Sequence, residues 1–538
     1  MQELRLTALI IVIVSILVTL GIAWYSRRWT RTTAEFYVAG GKITWLANGI
    51  ALVGDYLSAA SFLGVAGGIA IFGIDRFWDA LGYFSGYLVV LLLIAGPLRN
   101  VGKYTVADVL DVRFNSKALR VVVMIATLFI STFYLIPQML GAGVLFQTLL
   151  GLPYNVTTVM IGSLMIIYVV LGGMRGTTYN QIIQGVLLWS VMLFILILVT
   201  STYFHGSLGA ILDAAEKMVP PGIVAQNQDI AKEISKIDDS EKAVQLAAEK
   251  LPESPSALTP GAFAKDLLNS LAFAIGIIFG TAGLPHILIR FYTVPDAKAA
   301  KKSVVTCLVG VGTFYIFASF VGLSAMYLLY PKLVSWLTGE LAGVAMNMPV
   351  PLVGEMVGGE ALLGIAAAGA MAAMLSTAVG LLIAGTTSVA YDLYKNVLNP
   401  EASERSQILV AKITAIVMGI IAIVLAIVLK GSNVSFLVTL AFGIAASSLF
   451  PVLALALWWK GLTKQGAMWG ILTGLVVSAV FVIGQLMDAK SILGLPVLVN
   501  PGLYGIPATF LVAIVVSMLT SEVGAVDKFM AIAHTEEA

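Results

Sequence analysis

The chain has 538 residues, 59% of them hydrophobic and only 11% charged, with a mean hydropathy of +0.97; that much apolar surface cannot be hidden in one water-soluble globule, so lipid is the solvent expected for most of it. A formal net charge of +2, with no basic cluster interleaved with aromatics, excludes nucleic-acid binding. The single cysteine, Cys307, excludes an intramolecular disulfide framework and a cysteine-based metal site.

Apolar runs long enough to cross about 30 Å of hydrocarbon are predicted over 6–25, 44–71, 79–98, 118–149, 154–172, 182–204, 263–287, 303–330, 360–391, 406–429, 434–459, 466–487 and 503–520. The chain is therefore expected to be an all-α polytopic membrane protein of about thirteen helices, one membrane domain over 1–525 with a short cytoplasmic tail at 526–538. The first run, Leu6 to Trp24, is followed by Arg27, Arg28 and Arg31 instead of a small-residue cleavage site, and reads as a retained span. Placing the N-terminus outside puts about 20 of the 31 Lys and Arg in inner loops. By the positive-inside rule the C-terminus is then cytoplasmic and the chain sits in a cell (plasma or inner) membrane.

The one long polar segment, 205–262, is expected outside, with an amphipathic helix over Gln226–Lys250; a solvated spacer is the plainer reading. Leu251-Pro-Glu-Ser-Pro255 then returns the chain to the bilayer.

Transport sites form where a membrane helix is interrupted, because there free backbone groups face a cavity instead of lipid. Three segments carry such disruption. In the second span, Gly54-Asp-Tyr-Leu-Ser-Ala-Ala-Ser-Phe-Leu-Gly64 places Asp55 near the bilayer centre, where a carboxylate must face a polar cavity or a partner, or serve structure alone. At the end of the seventh, Phe279-Gly-Thr-Ala-Gly-Leu-Pro-His-Ile-Leu-Ile-Arg290 combines Pro285 with Gly280 and Gly283, so a broken helix is predicted. His286 there could pair with a carboxylate, take up a proton, or cap the kinked helix. In the ninth, Ala373-Met-Leu-Ser-Thr-Ala-Val-Gly380 offers the hydroxyls of Ser376 and Thr377 and the Ala373 carbonyl one turn earlier. These are hard oxygen ligands for a small cation, although back-bonding to a helix carbonyl is the alternative.

At these segments the sequence resembles the sodium/solute symporter family, which includes sodium/proline permease, sodium/glucose cotransporters, and bacterial acetate and monocarboxylate permeases. The likeness covers about residues 30–520. It rests on Gly54 to Gly64, on Gly172-Gly-Met-Arg-Gly-Thr-Thr-Tyr-Asn-Gln-Ile-Ile-Gln184, on Gly283 to Phe291, and on Ser376-Thr377 continuing to Tyr391-Asp-Leu-Tyr-Lys395. The resemblance implies a leucine-transporter-like core of five plus five inverted helices, with one extra span in front and two behind. The second and seventh spans would then be the broken helices. It also implies one sodium between the second and ninth spans, held by the carbonyls of Gly54, Leu57 and Ala373 and the hydroxyls of Ser376 and Thr377. Two positions depart from the family pattern. Tyr56 stands where sodium/proline permease has a sodium-linked aspartate, so Asp55 is one residue early, and Gln181 stands where several relatives carry an aspartate linked to a further cation.

The same stretches look most like the acetate and monocarboxylate branch, which implies acetate, propionate, pyruvate or a similar small organic anion as partner, sodium as coupling ion and no other cofactor. Candidate lining groups are Tyr56, Ser61 and Phe62 on the second span, Tyr134 and Gln138 on the fourth, and Thr281 on the seventh. The alternatives are a proton-coupled symporter with Asp55 or His286 titrating, a sodium symporter for another solute such as proline, and a ligand-binding membrane sensor. An enzyme is not expected: no paired carboxylates, metal-ligand cluster or nucleophile and base pair stands out.

Overall fold

The computed structural model describes residues 5–26, 32–262, 266–339, 341–430, 434–521 and 526–535. Arg27, Arg28 and Arg31, the first residues of the predicted 263–287 span and the last three of the tail lie outside them.

Among the described residues, eleven helical stretches are long and apolar enough to cross a membrane. Three are much longer than one crossing, among them Pro349–Leu398 with 50 residues, which keeps one full crossing after its break at Gly358 and Gly359; the other two divide into separate crossings. Tyr154–Tyr203 has 50 residues, about 75 Å at about 1.5 Å per residue, and leaves helical geometry at Gly173 (φ 54°, ψ −170°). Ala60–Val101 has 42 residues and is interrupted at Gly73–Arg76, where Gly73 takes a φ of 66°. Divided there, the chain crosses thirteen times, because Trp45–Tyr56 supplies the first half of the second span. The sixth span starts at Met174, so most of the Gly172–Gln184 stretch is helix and the turn narrows to Gly173.

Polar residues before the apolar runs explain several starts. Ser116, Asp296 and Ser403 accept backbone N–H groups of the first turns of the fourth, eighth and tenth spans, supplying partners that a helix N-terminus lacks. The most apolar windows of the ninth, eleventh and seventh spans are 94%, 89% and 78% buried, against 22% for the first and 33% for the tenth. The former trio therefore forms the interior, and the latter pair presents its apolar sides to lipid.

The ninth span corrects the expectation of a break at Ala373–Gly380. The helix Pro349–Thr387 leaves helical geometry only at Gly358 and Gly359, and passes through 373–380 uninterrupted before a π-helical end at Ser388–Leu398. Ser376 bonds back to the Ala373 carbonyl at 3.0 Å, an interaction a helix accommodates without opening. The two other predicted breaks are present. The second span interrupts after Tyr56, and the seventh between Thr281 and Pro285.

The segment 205–262 is neither one amphipathic helix nor a spacer. It folds as Leu208–Glu216, Pro221–Val224, Gln228–Ile234 and Ser240–Lys250, because Asp239 caps a new helix in the middle of the expected one. Its Ile211, Ala215, Val224, Ile234 and Ala247 are fully buried. It is also tied to the turn between the second and third spans. The Ile74 N–H donates to the Ala257 carbonyl (2.7 Å) and the Gly261 N–H to the Asp75 carboxylate (2.9 Å). The described tail is a helix, Val526–Ala533, held where Asn100 Nδ2 donates to the Ala533 carbonyl (3.1 Å) and His534 Nε2 meets the Leu457 carbonyl (2.8 Å).

Gly73 carries the first test. A Cβ there would meet the Ala257 carbonyl, and its φ is left-handed. Gly73→Ala is expected to destabilise the purified protein by at least about 1–2 kcal/mol from the backbone alone, lowering its thermal midpoint in detergent and speeding proteolysis within 205–262. Unchanged cleavage and midpoint would mean that the segment does not rest on this turn.

Candidate functional site

The site grows from the point where the second span stops being a helix. Leu57 lies at φ −72°, ψ 83°, and the chain resumes as a π-helical stretch at Ala60–Val65. Peptide groups released at such a break need partners, since hydrocarbon offers none. Gln138 Oε1 on the fourth span accepts the Ala59 N–H (3.1 Å), Ser58 Oγ accepts the Ala60 N–H (3.2 Å), and Thr377 Oγ1 on the ninth donates to the Asp55 carbonyl (2.6 Å). Gly54 makes the approach of the sixth span possible. A Cβ there would overlap the Gln181 carbonyl, and one at Gly185 would press on the Gly54 backbone.

The implied sodium ligands thus lie on two segments in direct contact. Gly54 and Leu57 flank the carbonyl that Thr377 touches, and Ser376 faces the Ala373 carbonyl. The assembled donors are all carbonyl and hydroxyl oxygens, the set a hard alkali cation takes from an unwound helix. The Asp55 carbonyl lies against Thr377 Oγ1; the sequence points only to its side chain. Gln181 Nε2 donates to the Ser376 carbonyl (2.8 Å), pinning the ninth span from behind.

The partner expected of Asp55 is Arg290, one turn past His286 on the seventh span. Arg290 Nε lies 3.2 Å from Asp55 Oδ2 and its Nη1 donates to Thr178 Oγ1 at 2.8 Å. Both charged side chains are buried, at 0% and 1% exposure. Gly380 leaves room for the carboxylate, since a Cβ there would overlap Asp55 Oδ1. The Arg290 carbonyl accepts from Asn48 Nδ2 (3.3 Å) and from Thr293 Oγ1 (2.7 Å), so the broken second and seventh spans are stitched together below the break. Toward the 205–262 face a second buried pair, Arg76 and Asp79 (2.6 Å), shares Ser435 of the eleventh span.

The predicted lining residues are all buried. The Tyr56 hydroxyl bonds Thr281 Oγ1 (2.8 Å) and donates to the Tyr83 carbonyl (3.1 Å). Tyr134 donates to Ser58 Oγ (3.3 Å) and Gln138 holds Ala59, so the fourth span serves the break itself. Ser61 is bonded to the Tyr315 hydroxyl (2.8 Å), and Phe62 packs on Phe314 (6.2 Å between centroids). His286 stands edge-on to Tyr134, 5.5 Å between centroids. Phe442 ties these groups together, with ring contacts to Tyr56, Tyr83 and Tyr134 at 6.2, 5.2 and 5.5 Å. Phe442, Tyr83, Tyr315 and Ser58 were not singled out from sequence; the signal for Phe442 is a large ring inside the small-residue run Ala441 to Ala446.

The sequence profile described as "Sodium:solute symporter family" matches residues 36–474. The chain is 38% identical over 530 residues to the "Uncharacterized symporter YwcA" of Bacillus subtilis (strain 168), covering 96% of this chain and 95% of that one. Its fold is similar to that of a Na+-coupled sialic acid symporter solved in a substrate-bound outward-open state, with a TM-score of 0.72 and 18% identity over 96% of this chain and 98% of that one. It is also similar to MHP1, a nucleobase-cation-symport-1 family transporter in a closed conformation, with a TM-score of 0.51 and 11% identity over 94% and 99%. At such identities the structural likeness concerns fold alone.

The Asp55–Arg290 pair generates a test that does not depend on substrate. Breaking a buried pair strands a charge at a cost of about 3–5 kcal/mol, whereas replacing both partners by apolar groups is often close to neutral. Asp55→Leu and Arg290→Met are each expected to lower thermal stability strongly in detergent, and the double variant to recover most of the loss. Additive losses in this double-mutant cycle would show that the two side chains do not act as a pair.

Proposed function

The chain belongs to the sodium:solute symporter family, and we propose that it couples inward flux of a single sodium ion to uptake of a small monocarboxylate of the acetate, propionate or pyruvate type. Family membership makes it a multi-pass membrane transporter and not an enzyme. The observation that carries the sodium half is the Thr377 hydroxyl seated 2.6 Å from the Asp55 carbonyl, between Gly54 and Leu57. The substrate half is supported by the likeness of the Gly54–Gly64 and Gly172–Gln184 stretches to the monocarboxylate branch.

In this mechanism the N-terminus lies outside and the 205–262 segment faces the external medium. Sodium binds the carbonyls of Gly54, Leu57 and Ala373 and the hydroxyls of Ser376 and Thr377, and draws the broken second span onto the ninth. That closure completes the substrate site on the other side of the break, among Tyr56, Ser61, Phe62, Tyr134, Gln138 and Thr281. Each ligand then raises the affinity for the other by the same factor. The two repeats rock around the midplane and expose the site alternately.

Uptake of labelled acetate, propionate, pyruvate and proline into proteoliposomes, under separate sodium and proton gradients, tests the proposal. Sodium-driven uptake of a monocarboxylate is expected, with sodium raising substrate affinity by roughly 5–150-fold. Ser376→Ala with Thr377→Ala should abolish that sodium effect. Uptake driven by protons alone would remove the sodium site from the mechanism, and sodium-driven uptake of proline alone would replace the substrate.

A further inference from the structure

We propose that His286 and the Gln138 amide are the hydrogen-bond donors that receive the substrate carboxylate, making the break of the second span an anion cradle assembled from the fourth and seventh spans. The inference rests on the monocarboxylate reading above and assigns the atoms that recognise the acid.

Among the described residues, both ring nitrogens of His286 and the Nε2 of Gln138 have no hydrogen-bond partner, and both side chains are 0% exposed. Leaving a buried donor unmet costs about 1–3 kcal/mol, and buried polar groups are otherwise almost always paired. Two such donors lie beside one interruption. Gln138 is oriented by chemistry: a backbone N–H can be met only by the acceptor end of an amide, so the bond from Ala59 (3.1 Å) fixes Oε1 and leaves the NH2 end to face elsewhere. His286 touches Tyr134 edge-on, and Tyr134 is one turn from Gln138 on the fourth span, with its hydroxyl on Ser58. Ser58, Tyr134, Gln138 and His286 thus form one polar group around residues 57–59.

The unmet groups match an acceptor-only ligand. A carboxylate offers two oxygens with about four lone-pair sites and no donor. Neutral imidazole supplies one N–H in either tautomer, and the amide supplies two. Arg290, one turn on from His286, is engaged through Nε by Asp55 and through Nη1 by Thr178, and the anion's charge is balanced by sodium on the carbonyl of Leu57, the residue before Ser58.

The test uses full-length protein in proteoliposomes with an inward sodium gradient. His286→Phe removes both ring nitrogens, and Gln138→Glu keeps the acceptor for Ala59 while replacing the donor with a negative oxygen. Each is expected to raise KM for acetate and pyruvate at least about ten-fold, about 1.4 kcal/mol, with sodium half-saturation at saturating substrate unchanged. His286→Gln, which restores a donor, should recover most of the affinity. Unchanged KM in both variants would overturn the cradle and leave sodium-driven monocarboxylate uptake standing. Failure of the unmodified protein to carry any monocarboxylate would overturn both.

Discussion

A peptide group freed inside hydrocarbon has nowhere to turn for a hydrogen bond except to other parts of the protein, and the interruption at Leu57 frees several at once. The neighbours of the second span are arranged by that need. The fourth span brings Gln138 to the Ala59 N–H, the ninth brings Thr377 to the Asp55 carbonyl, and the sixth closes in because Gly54 and Gly185 carry no side chain. The groups that rescue the backbone are also those with oxygens and donors to spare for an ion and a solute. Support of the break and construction of the site are therefore one structural act, and this is why site residues come from four spans far apart in sequence.

Charge is placed on either side of this centre and kept out of it. Asp55 and Arg290 join the second span to the seventh on one side, while Arg76 and Asp79 engage the eleventh through Ser435 toward the other. Between them lie hydroxyls and rings around Phe442 with no formal charge. A buried ion pair adds little net stability yet is costly to split, which suits an element that must hold two helices together in one conformation. Farther out, Arg120 binds Asp108, Asp111 and Asp392, fastening the ends of the fourth and ninth spans to the helix at Val106–Phe114.

Most of the fold was legible because its signals are local: apolar length marks the spans, and Pro285 with the glycines around it marks the seventh-span break. The misses have physical causes. Ser376 and Thr377 looked like a disruption, but hydroxyls can bond carbonyls without opening the helix, so the ninth span runs straight through. Asp239 split the expected external helix because a cap acts through backbone geometry that periodicity does not register. The need of Asp55 for a partner could be read from its depth, but not that the partner stands 235 residues away. Tyr83, Tyr315 and Phe442 were invisible because an aromatic residue in an apolar helix looks the same whether it packs a core or walls a site.

Gln181 bears on what its surroundings can hold. Its Nε2 donates to the Ser376 carbonyl, a bond that a carboxylate at this position could not make because two acceptors repel. One turn earlier on the same helix, Thr178 accepts from the guanidinium of Arg290, which places a permanent positive charge beside the spot. That charge is shared with the Asp55 carboxylate 3.2 Å away, so the pair offers a further cation no free negative ligand. Amide and guanidinium act in the same direction, one withholding a negative ligand and the other occupying the carboxylate of Asp55. Together they favour the single coupling ion proposed above, at the oxygens between the second and ninth spans.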